Sequence, residues 1–373
     1  MGLTILVVDD EPDSVEPLFA EIKKLPDAKA FIVGFEEAEE AIESRDPHII
    51  VLDIFRGRPT EGDAPGLSTC EHIWDKRFCP LVFYTALPER LGEDARLNHP
   101  FVKVEKKGSG SEGRVMERIR EFEPHVSALN QATKEIRWAL NRALREVAPR
   151  IFGNVRDGAQ IQDALTRSAR RRVAAAMDQE LSTGGPNLKS WEHYLCPPTT
   201  LGHPLTGDII RKRTGDRNDP SQYAVVLTPS CDLVSAAGRR PKVSKVLVAQ
   251  CKDVHRLLQE LSPADRENLE ERTRRLRAIL TQGHGYSCLP LPALPGEFPS
   301  MAADFRDLKL IVFTDIGDVD KEYARVASVD SPFRELVAWA YVLSAARPGL
   351  PERDFDSWVE EIVAALPEPE KKV

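Results

Sequence analysis

Ile5-Leu-Val-Val-Asp-Asp10 is an apolar, β-branched run of buried-strand length that stops on two carboxylates. Three later stretches repeat the pattern: Ile49-Ile-Val-Leu-Asp53, Leu81-Val-Phe-Tyr-Thr-Ala86 and Phe101-Val-Lys-Val-Glu-Lys106. Continuous apolar runs of this length suit strands covered on both faces, as in a parallel α/β sheet. The carboxyl ends of such strands open into one crevice, so side chains far apart in sequence meet there. Three carboxylates, a hydroxyl and an amine are expected to converge.

The intervening segments fit that frame. A helical stretch carries Val15, Leu18, Phe19 and Ile22, a short strand follows at Ala30-Phe-Ile-Val, and a second helix carries Ala38, Ala41 and Ile42. Helices near 69–76 and 112–122 complete the alternation of strands with amphipathic segments. Residues 1–123 are therefore read as a doubly wound, five-stranded parallel sheet with five helical segments, flavodoxin-like in class.

Asp9, Asp10 and Asp53 would repel one another unless a cation sits among them. A hard, oxygen-seeking ion such as Mg²⁺ meets that need while keeping waters and a phosphate oxygen as further ligands. With the charge compensated, Asp53 has the chemistry of a carboxylate nucleophile toward a phosphoryl group.

This set of residues resembles the acidic pocket of two-component response-regulator receiver domains over roughly the first 120 residues. The resemblance implies Asp53 as phosphoacceptor, Asp9 and Asp10 as the metal-holding pair with Asp53, and the Phe55 carbonyl completing the metal shell. It implies Thr85, followed by Ala86, as the switch hydroxyl and Lys106 as the lysine that pairs with the phosphate, with Lys103 as second candidate. It also implies a sensor histidine kinase as partner. The chain departs from the family in three places. A longer, charged loop, Ile54 to Gly66, follows the acceptor. Lys107 stands where a proline is usual, and Lys103 stands where an aromatic switch residue is usual.

Pro124 punctuates the first region, and residues 124–184 read as a helical connector. Val126, Thr133, Leu140 and Val147, alternating with Leu129, Ile136 and Ala143, form an apolar seam. Pairing of two chains through the 126–150 helix and packing of that helix on its own domain explain the seam equally well. A second helical stretch, Ala159 to about Leu181, carries Arg167, Arg170, Arg171 and Arg172.

From 185 to 373 short strands alternate with Gly, Pro and Asp turns: Gly207-Asp-Ile-Ile-Arg, Gln222-Tyr-Ala-Val-Val-Leu-Thr228, Val243 to Ala249 and Leu308 to Phe313. A charged helix is signalled by Ser262-Pro-Ala-Asp265, and helices are expected at 331–346 and 355–365. This region is read as an α+β effector domain with a small sheet or barrel and no helix-turn-helix followed by a winged hairpin. Two chemical readings stand for it. Cys231, beside Asp232, is a nucleophile if His203 or His284 lies close, making the region a regulated enzyme. Alternatively His203, Cys231 and Cys251, with Cys288 or His284, form a Zn²⁺ set, although their spacing lacks the tight Cys-x-x-Cys signature. A buried structural thiol explains Cys231 more simply.

Across 373 residues the net charge of −8 excludes a dominating nucleic-acid field, while arginine clusters at 167–172 and 272–277 leave local phosphate contact open. No apolar run approaches membrane-spanning length, and the amino terminus turns acidic at once, reading as a first strand and not a signal peptide. Six scattered cysteines do not make a compact disulfide framework, which suits a reducing cytoplasm.

Overall fold

The computed structural model describes residues 2–55, 65–92, 95–182, 188–199, 202–235, 239–258, 268–285, 287–317, 320–346 and 354–366. Most of the charged loop after Asp53, the Ser262-Pro-Ala-Asp265 segment and the tail from 367 lie outside these residues. Backbone contacts group the chain into two compact units, Met1–Gly185 and Pro186–Val373.

In the first unit, strands β1 (Thr4–Val8), β2 (Lys29–Val33), β3 (Ile49–Leu52), β4 (Leu81–Thr85) and β5 (Val102–Lys106) form one parallel sheet in the order β2-β1-β3-β4-β5. Alternate side chains of each strand feed opposite faces. Leu6, Val8, Ile50, Leu52, Leu81 and Phe83 pack with α2 (Ala38–Arg45) and α3 (Pro65–Lys76). Ile5, Val7, Ile49, Val51, Val82 and Tyr84 pack with α1 (Pro12–Lys23) and the start of α4 (Ser111–Asn154). The chain passes from β1 outward to β2 and then across to β3, so the switch point of a doubly wound sheet lies between β1 and β3. Between β4 and β5, where a further helix would complete the alternation, Pro88–Leu91 and Ala95–Asn98 form single 3₁₀ turns. Pro88, Gly92 and Pro100 in that stretch do not sustain a helix.

The boundary expected at Pro124 is not a break. α4 runs 44 residues from the sheet through Pro124 and Pro149. An interior proline costs about 3 kcal/mol of helix stability. Phe122 and Val126, on either side of Pro124, are both buried against the sheet and offset that loss. α5 (Gly158–Ser182) turns back after three residues and packs along α4, with Ala143 and Ala169 buried and Arg172 paired to Glu146. The apolar seam is thereby split: Val126 belongs to the sheet's core, Ala143 is buried, and Ile136 and Leu140 stay exposed beside Trp138.

The second unit is an eight-stranded, mostly antiparallel sheet. Its strands are β6 (Tyr194–Leu195), β7 (Asp208–Lys212), β8 (Tyr223–Val226), β9 (Lys245–Asp253), β10 (Cys288–Leu291), β11 (Met301–Val312), β12 (Ile316–Gly317) and β13 (Tyr323–Val329). They run in the order β10-β11-β9-β8-β7-β13-β12, with β6 on β13. Helix α6 (Ser230–Leu233) follows β8, and α7 (Leu269–Gln282) opens on Asn268, whose side chain accepts from the Glu270 and Glu271 amides. On one face α8 (Phe333–Ala345) buries Val337 and Ala340 against Tyr223, Val225 and Cys251. α9 (Phe355–Ala365) buries none of its residues.

Inside this sheet Asp208 and Arg325 form an ion pair with both side chains fully buried. Arg325 Nε donates to Asp208 Oδ2 at 2.9 Å, Ser328 Oγ to Oδ1 at 2.6 Å and the Leu205 amide to Oδ2 at 2.8 Å. Removing one member strands the other charge in low dielectric, so Asp208→Ala is expected to cost about 3–5 kcal/mol. The double change Asp208→Leu/Arg325→Met should cost less than the single one in denaturant titrations. A single-variant cost no larger than that of the double would show that the pair does not anchor the sheet.

In the first unit His48 Nδ1 accepts from the Thr4 amide at 2.9 Å, and burial, followed by the charge of Arg77, pulls its pKa below the usual value of 6.5. The folded state thus favours neutral imidazole. Its contribution is fully present above pH 6.5 and declines as the pH falls below that value, because the unfolded chain takes up the proton first. Melting curves should show this acid-side loss in the wild type and a smaller one in His48→Gln.

Candidate functional site

Each strand of the switch region ends one residue before a polar group. Asp9 follows β1 and donates its amide to the Val33 carbonyl at 3.0 Å, and Asp53 follows β3 and donates to the Val8 carbonyl at 2.9 Å. The backbone ladder therefore sets where both carboxylates stand. Carboxylate oxygens of Asp9, Asp10 and Asp53 all lie within 4.8 Å of one another. Asp9 is almost fully buried, while Asp10 and Asp53 are half-buried. Asp9 Oδ1 accepts from the Glu11 amide at 2.9 Å and from Ser14 Oγ at 3.4 Å, and Asp53 Oδ1 accepts from the Ile54 amide at 2.6 Å.

The amine of the pocket is Lys107 and not Lys106. Lys107 Nζ donates to Asp9 Oδ2 and to Asp53 Oδ2, both at 2.6 Å. Lys106 is exposed, its ammonium 4.0 Å from Glu89. Lys103 lies mid-strand opposite Val82, three places short of the crevice. Lys106 is the last residue of β5, in register with Thr85, and its side chain takes the direction the pleat imposes. Lys107, one residue beyond, is held by its backbone N–H, which donates a hydrogen bond to the Thr85 carbonyl at 2.9 Å, while its side chain turns into the crevice. Lys107 stands one residue past the end of β5, as Asp9 and Asp53 do past β1 and β3, but that end is set by pairing with β4 and not by the apolar run, which stops at Val104, so the sequence carries no signal for it.

Thr85 closes β4, fully buried, its Oγ1 accepting from the Leu87 amide at 3.4 Å. The Phe55 side chain is buried with α2 and α3 in the core beneath the crevice. Gly66 carries no signal in the sequence that marks it as part of the site. A Cβ there would stand 2.1 Å from the Asp53 carbonyl oxygen, so the start of α3 can approach Asp53 only without a side chain.

The electrostatics of the pocket are set by burial. Desolvation, the largest influence on Asp9, raises its pKa in spite of the hydrogen bond and charge of Lys107. Desolvation is also the largest single influence on Lys107 and pulls it down, yet the bonds and charges of Asp53 and Asp9 outweigh it, so its pKa is raised. Both values rise, but with opposite consequences for charge: Lys107 gains two carboxylate partners and is favoured charged, whereas Asp9 shares one ammonium with its neighbour and is favoured neutral. Lys107 thus holds its proton, and the cluster remains rich in negative charge.

The second unit does not assemble the groups expected of it. Cys231 is exposed at the head of α6, its Sγ 3.5 Å from Asp232 Oδ1 and its carbonyl accepting from Arg239 at 2.7 Å. Asp232 pairs with Lys242, whose hydrogen bond lowers its pKa. Cys251 and Cys288 are buried on β9 and β10, on opposite sides of β11, and burial pushes the Cys251 thiol well up. His284 is buried with Nδ1 at the Gly285 carbonyl and its ring against Trp339. Among the described residues Asp9, Asp10 and Asp53 are the one group of His, Cys, Asp or Glu placed to hold a metal ion, so the Zn²⁺ set is not brought together. Of the arginine clusters, Arg172 is paired with Glu146 and Arg274 with Glu271. No helix among the described residues is long and apolar enough to cross a membrane.

No protein-family model matches the sequence, and no curated protein matches it. Among solved structures the chain is similar to receiver domains. The BeF₃-activated N-terminal receiver domain of Klebsiella pneumoniae RstA is 21% identical over 31% of this chain and 95% of that one, with a TM-score of 0.25. The signal receiver domain of a putative LuxO repressor protein from Vibrio parahaemolyticus is 16% identical over 35% and 98%, at 0.30. The response regulator domain of Thermotoga maritima CheB is 24% identical over 32% and 96%, at 0.27. Strand order and register carry the fold assignment of the first unit independently of these likenesses.

Asp9, with its pKa raised by burial, contributes stability in acid that is lost as the pH rises through its folded value. Once ionised, its buried charge is a burden that a divalent cation would relieve. Mg²⁺ at a hundredfold excess over its Kd should therefore stabilise the first unit by about 2.7 kcal/mol. Asp9→Asn should melt higher than wild type in metal-free buffer and lose most of that Mg²⁺ response. Wild-type melting indifferent to Mg²⁺ would contradict this account of the cluster.

Proposed function

We propose that the first unit is the phosphoacceptor domain of a two-component response regulator. The observation that carries this reading is the convergence of Asp9, Asp10 and Asp53 within 4.8 Å, with the Lys107 ammonium bonded to Asp9 and Asp53. The donor set, three carboxylates with one of them raised in pKa by burial, suits a hard divalent cation. Asp9, Asp10 and Asp53, with the Phe55 carbonyl, would hold Mg²⁺. When bound, that ion neutralises charge on the phosphoryl oxygens.

The chain's own groups account for the rest of the chemistry. An Asp53 oxygen attacks phosphorus as the bond from phosphorus to the donor's leaving atom breaks, and the electron pair departs with the donor. An acyl phosphate remains. Lys107, kept protonated by its two carboxylates, transfers a hydrogen bond to a phosphoryl oxygen, and the Thr85 hydroxyl at the end of β4 supplies another. The donor is a phosphorylated sensor histidine kinase acting in the cytoplasm. The added charge alters the α4 end of the pocket, and the α4–α5 hairpin passes the change to the second unit, which serves as effector. Ile136 and Leu140, exposed four residues apart on one side of the helix, supply the face through which the 126–150 helix of two chains would pair.

Incubation of the full chain with Mg²⁺ and acetyl phosphate, followed by intact mass measurement, should give one base-labile phosphoryl group. Asp53→Asn should abolish it. Lys107→Ala should slow labelling roughly tenfold, equivalent to about 1.4 kcal/mol of lost charge stabilisation, whereas Lys106→Ala should change it less than about twofold. Undiminished labelling of Asp53→Asn would reject the assignment.

A further inference from the structure

Behind the pocket a second set of groups is buried and fully satisfied. Ser111, the first residue of α4, has no exposed surface. Its Oγ donates to the Gly108 carbonyl at 2.6 Å, accepts from the Gly108 amide at 3.2 Å and lies 2.6 Å from the hydroxyl of Tyr84. A serine hydroxyl has one hydrogen, so with that hydrogen on Gly108 the Tyr84 hydroxyl is the donor to Ser111. Tyr84 precedes Thr85 in β4, is 4% exposed, and carries the Lys107 ammonium 5.7 Å from the centre of its ring. Lys107 in turn precedes Gly108.

We propose that the Tyr84–Ser111 hydrogen bond couples the acidic pocket to α4, with Tyr84 and Ser111 as positioning residues that act through Lys107 and Gly108. This deepens the phosphoacceptor reading and rests on it. From Asp53 Oδ2 the route runs through one ion pair to Lys107, along the chain to Gly108, and through both polar groups of Gly108 to Ser111 Oγ. The Lys107 amide is also bonded to the Thr85 carbonyl, so the ends of β4 and β5 move together. A different contact ties α4 to β5: the buried Glu105 carboxylate accepts from Arg114 Nε at 3.1 Å and Arg118 Nε at 2.8 Å. Tyr84–Ser111 is the corresponding tie from α4 to β4.

When the partner of Lys107 changes from a carboxylate to a phosphoryl oxygen, Gly108 shifts with it. Ser111 cannot follow without stretching its bond to Tyr84. Because α4 continues unbroken to Asn154, a tilt of its first turn is carried along the whole helix.

Hydrogen exchange over residues 108–120 of the full chain, read with and without Mg²⁺ and acetyl phosphate, tests the coupling. In Tyr84→Phe the Asp53 label should form within about twofold of the wild-type rate. The phosphorylation-dependent change in exchange should fall below about half of the wild-type change, as expected when one link of a two-state element is cut. Ser111→Ala should behave alike, the double variant no differently, and Ser111→Thr, which keeps the hydroxyl, should restore the response. A full wild-type response in Tyr84→Phe overturns the coupling. Failure of the phosphoacceptor reading is seen separately as absence of label on wild type. In that event Lys107→Ala without phosphodonor still tests the link. It should alter exchange over 108–120 in the wild-type background and much less in Tyr84→Phe, and equal effects in both would overturn it.

Discussion

The first unit depends on one ammonium placed between two carboxylates. Asp9 and Asp53 leave neighbouring strands at the switch point of the sheet, and with Asp10 they bring three negative charges within 4.8 Å. Such charges do not share a half-buried site without a counter-charge. Lys107 supplies part of it, at 2.6 Å from each of two oxygens, and pins the end of β5 to the ends of β1 and β3. On the proposed reading, the remaining negative charge gives the site its affinity for a divalent cation and for a phosphoryl group accompanied by one. The close approach of Gly66 to the Asp53 backbone shows how tightly the surrounding chain is fitted to that centre.

The same residues that balance charge also start the longest element of the chain. Gly108 directly follows Lys107, Ser111 opens α4 three residues later, and that helix runs 44 residues with two prolines inside it. A separate connector would decouple the sheet from the far end of that helix. A continuous helix, held at its root by Glu105 with Arg114 and Arg118 and by Tyr84 with Ser111, does not. The return of α5 along α4 makes the second half of this helix part of a two-helix hairpin.

In the second unit the organising contact is also electrostatic. Asp208 on β7 and Arg325 on the adjacent β13 meet with neither side chain exposed, and Ser328 and the Leu205 amide also donate to the carboxylate. A buried pair of this kind contributes little net stability over an apolar substitute, but it fixes which strands lie side by side, because any other register leaves a charge unpaired. The pair also hides β13 from a reading by pattern. In Tyr323-Ala-Arg-Val-Ala-Ser-Val329 the inward positions include Arg325 and Ser328, so the strand lacks the apolar alternation that marks the others. β11 is legible only from Leu308 onward, since Asp304 and Asp307 interrupt its first half at a bulge.

By itself the sequence determined the strands of the first sheet and the polar groups at the ends of β1, β3 and β4, because apolar runs of strand length are intelligible without partners. It also determined the later helices at 333–345 and 355–365 to within a few residues. Tertiary structure alone decided that Lys107 enters the pocket and Lys106 does not, since the choice depends on where the pleat of β5 stops relative to β4. It alone decided that Pro124 lies inside a helix, because the burial of Phe122 and Val126 that compensates for it comes from the sheet. The separation of Cys231, Cys251, Cys288 and His284 has the same origin: spacing along a chain does not say which side of a strand a neighbour occupies, and hydrogen-bond register does.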